Sequence, residues 1–157
     1  MKKDKCFGFQ RSAHAVGQNC FHLVWVTKYR LPVFRVTEFA GACEAIIRLV
    51  AWRQGMTIYE LKVMDEHVHC FVQFPPRMSL ASVFHRLKGV SSFMLRKRFP
   101  WLRKKFPDGS LWSPSKFYRS VGNVSADTIA HYIKYSNKRW EYFAETKRKD
   151  VAQRTLI

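Results

Sequence analysis

The stretch from Glu66 to Phe74 constrains the fold most tightly, because its side chains alternate as they do along an extended strand. The side chains on one side are apolar: Val68, Cys70, Val72 and Phe74. The side chains on the other side include two imidazoles: His67, His69, Phe71 and Gln73. Two prolines, Pro75 and Pro76, then end the strand, since proline donates no hydrogen bond to a sheet. The sequence therefore predicts a strand that carries both histidines on one face.

The segments around this strand supply a complete order of strands and helices. The predicted elements are strands over 20–26, 56–64, 66–74 and 117–121, and helices from Thr37 to Gly55, from Ser79 to Pro100 and from Ser125 to about residue 145. Thr37, Ser79 and Ser125 are the expected N-caps, and residues 101–115 are expected to be a loop. The first six elements match the split β-α-β order of a ferredoxin-like fold. We therefore expect an α+β, ferredoxin-like (RRM-like) antiparallel sheet with helices on one face, plus a C-terminal helix.

The length of the chain favours a single domain over 1–157. Its 157 residues match one unit of ~100–200 residues, with a loose N-terminal arm over 1–18, a core over 20–145 and a basic C-terminal tail over 146–157. Apolar runs such as 20–27 are much shorter than the ~20 residues that span a bilayer. No apolar run of a signal peptide follows the basic start. These features predict a cytoplasmic protein that does not associate with membranes.

The charge of the chain indicates a polyanionic partner. Lys and Arg total 28 against 11 Asp and Glu, a net charge of +17, and nucleic acid is the leading partner of such a protein. The charge is concentrated between residues 77 and 119, where the candidate phosphate contacts are Arg86, Lys88, Arg96, Lys97, Arg98, Arg103, Lys104 and Lys105. Three aromatic residues lie among them: Trp101, Phe106 and Trp112. These rings could stack on unpaired bases or form a small core under the loop.

The pair His67 and His69 is the sharpest local signal of chemistry. Residues two apart on a strand share a face, and imidazole is the commonest protein ligand of a metal ion. The alternative is two ordinary histidines on a half-exposed strand. A nucleic-acid enzyme with such a metal also needs a nucleophile, for which Ser, Cys, Lys and Tyr are all present. Among the six tyrosines, Tyr132 lies on the last predicted helix, one turn before Ser136.

Five separated motifs resemble those of a known family. They are Phe21 to Val33 (FHLVWVTKYRLPV), Met64 to His69 (MDEHVH), Leu87 to Ser92 (LKGVSS), Leu111 to Ser115 (LWSPS) with Ser120 to Gly122 (SVG), and Tyr132-Ile133. In this order they resemble the small HUH single-tyrosine transposases, the TnpA proteins of the insertion-sequence 200/605 group. The resemblance runs from about residue 20 to about residue 140.

The resemblance implies an activity, a cofactor and partners. His67 and His69 would hold a divalent ion, Mg²⁺ or Mn²⁺, and the hydroxyl of Tyr132 would attack the scissile phosphate to give a 5′-phosphotyrosine and a free 3′-hydroxyl. The implied substrate is single-stranded DNA with hairpins near the element ends. The implied assembly is a homodimer with shared active sites, acting in the cytoplasm of a prokaryote at the nucleoid.

Two positions depart from the family pattern. Glu66 stands where the family commonly has Asp, and Ser136 stands where the family usually has Gln or Asn as a third metal ligand. Asn137 follows Ser136, but on a regular helix it lies ~140° around from Tyr132, whereas Ser136 lies ~40° away. The third ligand, Ser136 or Asn137, therefore stays open.

Three other functions fit part of the pattern. A domesticated relative that cuts repeated chromosomal hairpins would use the same chemistry without moving an element. A non-catalytic ferredoxin-like module would explain the charge and the aromatic residues, but not His67, His69 and Tyr132 together. A metal-dependent hydrolytic nuclease would leave a free 5′-phosphate and no protein adduct.

Overall fold

The structure is a computed structural model that describes residues 9–11 and 13–121. The helix expected to begin at Ser125, with Tyr132, Ser136 and Asn137, and the tail over 146–157 lie outside these residues. Within the segment expected to be a loose arm, β1 (Gln10–Arg11) pairs antiparallel with β2 (Val16–Gly17).

A four-stranded antiparallel sheet forms the centre of the protein. Its strands are β3 (Cys20–Thr27), β4 (Thr57–Val63), β5 (His67–Gln73) and β6 (Trp112–Ser120), in the order β4-β5-β3-β6. Three helices accompany them: α1 (Thr37–Arg53), α2 (Leu80–Arg98) and the single turn α3 (Leu102–Lys105). The two strands that precede the long helices in sequence, β3 and β5, are central, as a ferredoxin-like fold requires. The expected α+β class and antiparallel sheet are confirmed.

The core lies between one face of the sheet and helices α1 and α2. Alternate residues of β5, namely Val68, Cys70 and Val72, are fully buried in this core, as their alternation predicts. Trp25 of β3 packs edge-to-face on Phe84 of α2, with ring centroids 6.2 Å apart. We call this face of the sheet the core face, and the opposite one the histidine face.

The expected helix ends are confirmed in part. Ser79 caps α2, because its hydroxyl accepts the N–H of Ser82 at 3.1 Å. Gly55 follows α1 with a φ of +69°, the left-handed conformation that glycine adopts after a helix. The prediction for Thr37 is wrong: Val36 is the N-cap without a side-chain hydrogen bond, and Thr37 is the first helical residue.

The prediction of a loop over 101–115 is also wrong. Four of its residues form α3, and β6 begins at Trp112, five residues before the expected start. Tertiary contacts explain both differences. Trp112 pairs with Thr27 of β3. The segment also packs against the core through four buried apolar side chains: Leu102, Phe106, Leu111 and Trp112. β6 is an edge strand, where Pro114 is tolerated.

Within residues 9–11 and 13–121, no helix is both long and apolar enough to cross a membrane.

Candidate metal centre and nucleic-acid interface

Three histidines meet on the histidine face of the sheet. In the register of β3 and β5, Val26 lies opposite His67 and Val24 lies opposite His69. His22 lies two residues from Val24 and therefore on the same face. His67, His69 and His22 are 7%, 3% and 7% exposed. The strand is therefore buried at these positions, whereas the alternative expected it to be half-exposed.

A chain of short nitrogen and oxygen contacts joins these side chains. Nδ1 of His67 lies 3.0 Å from Oε1 of Glu66. Nε2 of His67 lies 3.1 Å from Nε2 of His69, and Nδ1 of His69 lies 3.1 Å from Nε2 of His22. Each ring of the pair His67 and His69 is thus in contact with a different outer partner.

Burial lowers the pKa of all three imidazoles and so favours their neutral form. The pKa of His69 falls to about 3, first because of burial and then because of its imidazole neighbours. Burial and then the nearby charge of Arg119 lower the pKa of His22 to about 4. For His67, burial lowers the pKa more than Glu66 raises it. The neutral imidazole is the form that binds a metal ion.

The distance between the two Nε2 atoms is within the range that separates two ligands of one metal ion. Nitrogen ligands at adjacent corners of an octahedron with bonds of ~2.1 Å lie ~3.0 Å apart, whereas those of a tetrahedral zinc site lie ~3.4 Å apart. The observed separation is 3.1 Å, so the two Nε2 atoms are close enough together to bind one ion. No group of three His, Cys, Asp or Glu side chains with metal-binding geometry occurs among the described residues.

Positive charge surrounds the histidines. Lys62 of β4 lies opposite His69, and Arg119 of β6 lies opposite His22. Arg30 is the cation that acts electrostatically on His67. Sequence reasoning missed His22, Lys62 and Arg119 as site residues, because their proximity depends on the pairing of separate strands. A cationic rim of this kind attracts the phosphates of a nucleic acid.

The turn that carries Arg30 is strained. Tyr29 and Arg30 have φ angles of +60° and +53°, a left-handed conformation that costs free energy in residues other than glycine. Several contacts hold the turn: Thr27 donates to the carbonyl of Leu31 at 2.8 Å, and the hydroxyl of Tyr29 donates to Asp108 at 3.1 Å. These contacts offset the strain and hold Arg30 beside the histidine face.

A basic groove lies on the other side of the sheet. It has a volume of about 1070 Å³ and runs between α2 and the segment over 103–116. Its lining includes five cations and an exposed aromatic ring: Lys88, Arg96, Lys97, Arg103, Lys116 and Phe93. Phe93 is 70% exposed, so its ring is available for stacking on a base.

The structure brings together half of the predicted phosphate contacts. Of these, Lys88, Arg96, Lys97 and Arg103 line the groove. The other four lie outside its lining: Arg86, Arg98, Lys104 and Lys105.

Two of the groove cations also have a structural role. Nζ of Lys88 donates to the carbonyls of Ser113 and Ser115 at 2.7 Å and 3.2 Å, which ties α2 to β6. Arg96 donates to the carbonyl of Phe106 at 2.8 Å. Burial and the charge of Lys116 lower the pKa of Lys88 to about 8.

The prediction that Trp112 stacks on bases is wrong. Its side chain is 3% exposed, its indole N–H donates to the hydroxyl of Ser91 at 3.0 Å, and its ring contacts Trp25 at 5.9 Å between centroids. Phe106 is 1% exposed. Trp101 is half-buried and packs edge-to-face on Phe39 at 5.1 Å. Phe106 and Trp112 thus belong to the main core rather than to a separate small one, and Trp101 packs against it.

With the fold and the site in place, the class of protein follows from comparison with known proteins. Residues 15–136 match the family model of IS200-like transposases, and the chain belongs to this family. It is 32% identical over 113 residues to the ISDra2 transposase TnpA of Deinococcus radiodurans, across 72% of this chain and 80% of that protein. It is 30% identical over 129 residues to the transposase for insertion sequence element IS200 of Salmonella typhimurium, across 82% of this chain and 84% of that protein.

Solved structures agree with this assignment. A crystal structure assigned as a transposase of Deinococcus radiodurans has a TM-score of 0.67 and 30% identity, covering 80% of this chain and 95% of that one. A REP-associated tyrosine transposase bound to a REP hairpin has a TM-score of 0.50 and 17% identity, covering 80% of this chain and 68% of that one. The second likeness supports the fold alone.

Proposed function

We propose that this transposase is a metal-dependent DNA strand transferase of the single-tyrosine HUH type. The observation that carries the proposal is the pair of buried imidazoles whose Nε2 atoms face each other at 3.1 Å. Membership of the IS200-like transposases supports strand transfer of DNA as the reaction. A non-catalytic module of the same fold would not need this pair.

The residues of the histidine face have separate roles in the proposed reaction. His67 and His69 would hold Mg²⁺ or Mn²⁺, with a third ligand at Ser136 or Asn137. When bound, such an ion polarises the phosphate and stabilises charge in the transition state. Arg30 and Lys62 would attract the phosphate backbone of the substrate, because both carry positive charge beside the histidines.

Tyr132 is the proposed nucleophile. Its phenol oxygen bonds to the scissile phosphorus, and the bond from phosphorus to the 3′-oxygen breaks. The tyrosine loses its proton, the 3′-oxygen gains one, and the 5′-phosphate stays on the protein. Attack by another 3′-hydroxyl reverses these steps and joins two strands without an external energy source.

The proposed substrate is single-stranded DNA with hairpins at the element ends. The basic groove supports it, because cations follow a phosphate backbone and an exposed ring such as Phe93 stacks on unpaired bases. A structural relative bound to a REP hairpin is consistent with a hairpin ligand. The protein would meet this DNA in the cytoplasm of a prokaryote, at the nucleoid.

We further propose a homodimer with shared active sites. Within the described residues, the histidine face has two candidate ligands and no cluster of three, which leaves a place for a ligand from a further element. The tyrosine helix of the other subunit would be that element.

Labelled DNA separates this proposal from hydrolysis. The protein is incubated with single strands of its own flanking DNA, labelled at either end, with Mg²⁺ and with chelator. We expect label from the 3′ fragment to stay with denatured protein in Mg²⁺, and no cleavage in chelator. Free 5′-phosphate without an adduct would instead indicate a nuclease, and cleavage in excess chelator would remove the metal from the mechanism.

A further inference from the structure

His22 is a buried polar residue that the proposed reaction does not use. Nε2 of His22 lies 3.1 Å from Nδ1 of His69. The planes of the two rings are nearly parallel, at 15°, and the ring centroids are 5.3 Å apart. Phe117 closes on the His22 ring edge-on at 6.3 Å. The His22 ring is therefore packed between two fixed rings.

Metal binding restricts where the protons of the two ligands lie. Each neutral imidazole has one N–H and one nitrogen with a lone pair. If both facing Nε2 atoms bind the ion, the proton of each ring must lie on Nδ1. For His67, the acceptor of that proton is Oε1 of Glu66, at 3.0 Å. For His69, the atom in the matching place is Nε2 of His22, at 3.1 Å.

We propose that His22 is a positioning residue for His69: its Nε2 accepts the Nδ1–H of His69 and thereby holds the tautomer and ring orientation that direct Nε2 of His69 toward the ion. This inference rests on the proposed metal site of His67 and His69. Metal-binding histidines generally need such an outer partner, because it fixes the ring and strengthens the ligand. His22 thus accepts the Nδ1–H of His69, as Glu66 accepts the Nδ1–H of His67.

The type of residue at this position follows from burial. Glu66 has a side chain that is 26% exposed, so water can solvate its charge. His22 is 7% exposed, and a buried carboxylate in its place would carry a desolvation cost that the charge of Arg119 would have to offset. A neutral ring with one acceptor nitrogen supplies the hydrogen bond without that cost.

The test measures Mn²⁺ binding to the full-length protein without DNA, by titration followed with electron paramagnetic resonance. His22→Phe keeps an aromatic ring and removes the acceptor, and it should weaken binding by about 10- to 100-fold. His22→Gln places an amide oxygen near the position of Nε2 and should recover most of the affinity. Phe117→Leu, which changes the packing on His22 but not the hydrogen bond, is the matched control and should bind as the wild type does.

Each outcome has one meaning. Wild-type affinity in a folded His22→Phe protein, or a loss in Phe117→Leu equal to that in His22→Phe, would overturn the role of His22. If the wild type and His67→Ala bind Mn²⁺ equally, the metal site itself fails and this inference fails with it. If wild-type binding depends on His67 and is unaffected by His22→Phe, only this inference fails.

A second measurement uses the unaltered protein, in case His22→Phe does not fold. Nitrogen-15 spectra of the histidines, recorded with Mg²⁺ bound, report which ring nitrogen carries the proton. We expect a proton on Nδ1 of His69 and none on Nε2 of His22. A proton on Nε2 of His69 in the metal-bound protein would contradict the proposal.

Discussion

The histidine face and the basic groove are built on opposite principles. The histidine face holds His22, His67 and His69 as buried neutral rings, joined through contacts of about 3.1 Å. The groove presents exposed cations, among them Lys97 and Arg103. One region is suited to holding an ion in a fixed geometry, and the other to attracting a flexible polyanion.

Under the proposed function, this difference predicts that the chemistry and much of the DNA affinity reside in separate parts of the molecule. A rigid site needs packed, hydrogen-bonded side chains, whereas an electrostatic surface needs solvated charges that release counterions when DNA binds. Variants of the two regions should therefore have different effects. Those of the histidine face should stop cleavage and leave binding, and those of the groove should do the reverse.

The largest expected effect follows from removing a metal ligand. Because loss of an outer partner costs about 10- to 100-fold, His67→Ala and His69→Ala should each reduce cleavage by more than that, measured with labelled single strands in Mg²⁺. Binding measured by fluorescence anisotropy should stay near the wild-type value. His85→Ala, an exposed histidine of the groove, is the control. Cleavage by His67→Ala at the wild-type rate would contradict the assignment.

Mixed subunits test whether the histidine face is completed by a second chain. Tyr132→Phe and His67→Ala proteins are each expected to be inactive. After subunit exchange, some cleavage should return, because one site of a mixed dimer then has intact histidines and an intact tyrosine. No recovery after confirmed exchange, or a monomer in sedimentation, would indicate a site built within one chain.

Neutralising the groove should weaken binding and leave the chemistry intact. Lys97→Gln with Arg103→Gln removes two exposed cations, so the salt dependence of single-strand affinity should fall by about 0.7 per lost phosphate contact. Cleavage at saturating DNA should be unchanged. The matched control is Lys104→Gln with Lys105→Gln, two exposed cations outside the lining. If both pairs of substitutions lower the salt dependence equally, the groove binds DNA no differently from the rest of the basic surface.

The smallest expected effect is a pH dependence of binding. Lys88 has a pKa lowered to about 8, so it is charged below this pH and neutral above it, unlike an ordinary lysine. Affinity for single-stranded DNA should therefore fall between pH 7 and pH 9. Lys88→Arg, which keeps its charge, should show a smaller fall, measured by anisotropy at constant ionic strength. Identical pH profiles would remove Lys88 from the contacts with DNA.

Patterns of residues close in sequence were sufficient to predict part of the fold and of the candidate site. The alternation over 66–74 places His67 and His69 on one face, and the hydroxyl at Ser79 caps α2 as expected. These features depend on residues close in sequence. The motifs of the family likewise lie in short, separated stretches.

The remainder depends on contacts between distant parts of the chain. Trp112 looked available to DNA among many cations, yet it packs on Trp25 of a separate strand. His22 meets His69 only because β3 and β5 pair in one register. The spacing of residues along the sequence does not determine how two strands pair. Neither contact could therefore be predicted from residues that are close in sequence.

The central claim is that the histidine face works with Tyr132 in cutting DNA, and mapping the covalent adduct tests it most directly. The protein reacts with single-stranded DNA in Mg²⁺, nuclease trims the attached strand, and mass spectrometry locates the modified peptide. We expect a 5′-phosphonucleotide on Tyr132 and none in Tyr132→Phe or with chelator present. An adduct on another residue, or one of undiminished yield in Tyr132→Phe, would contradict the account.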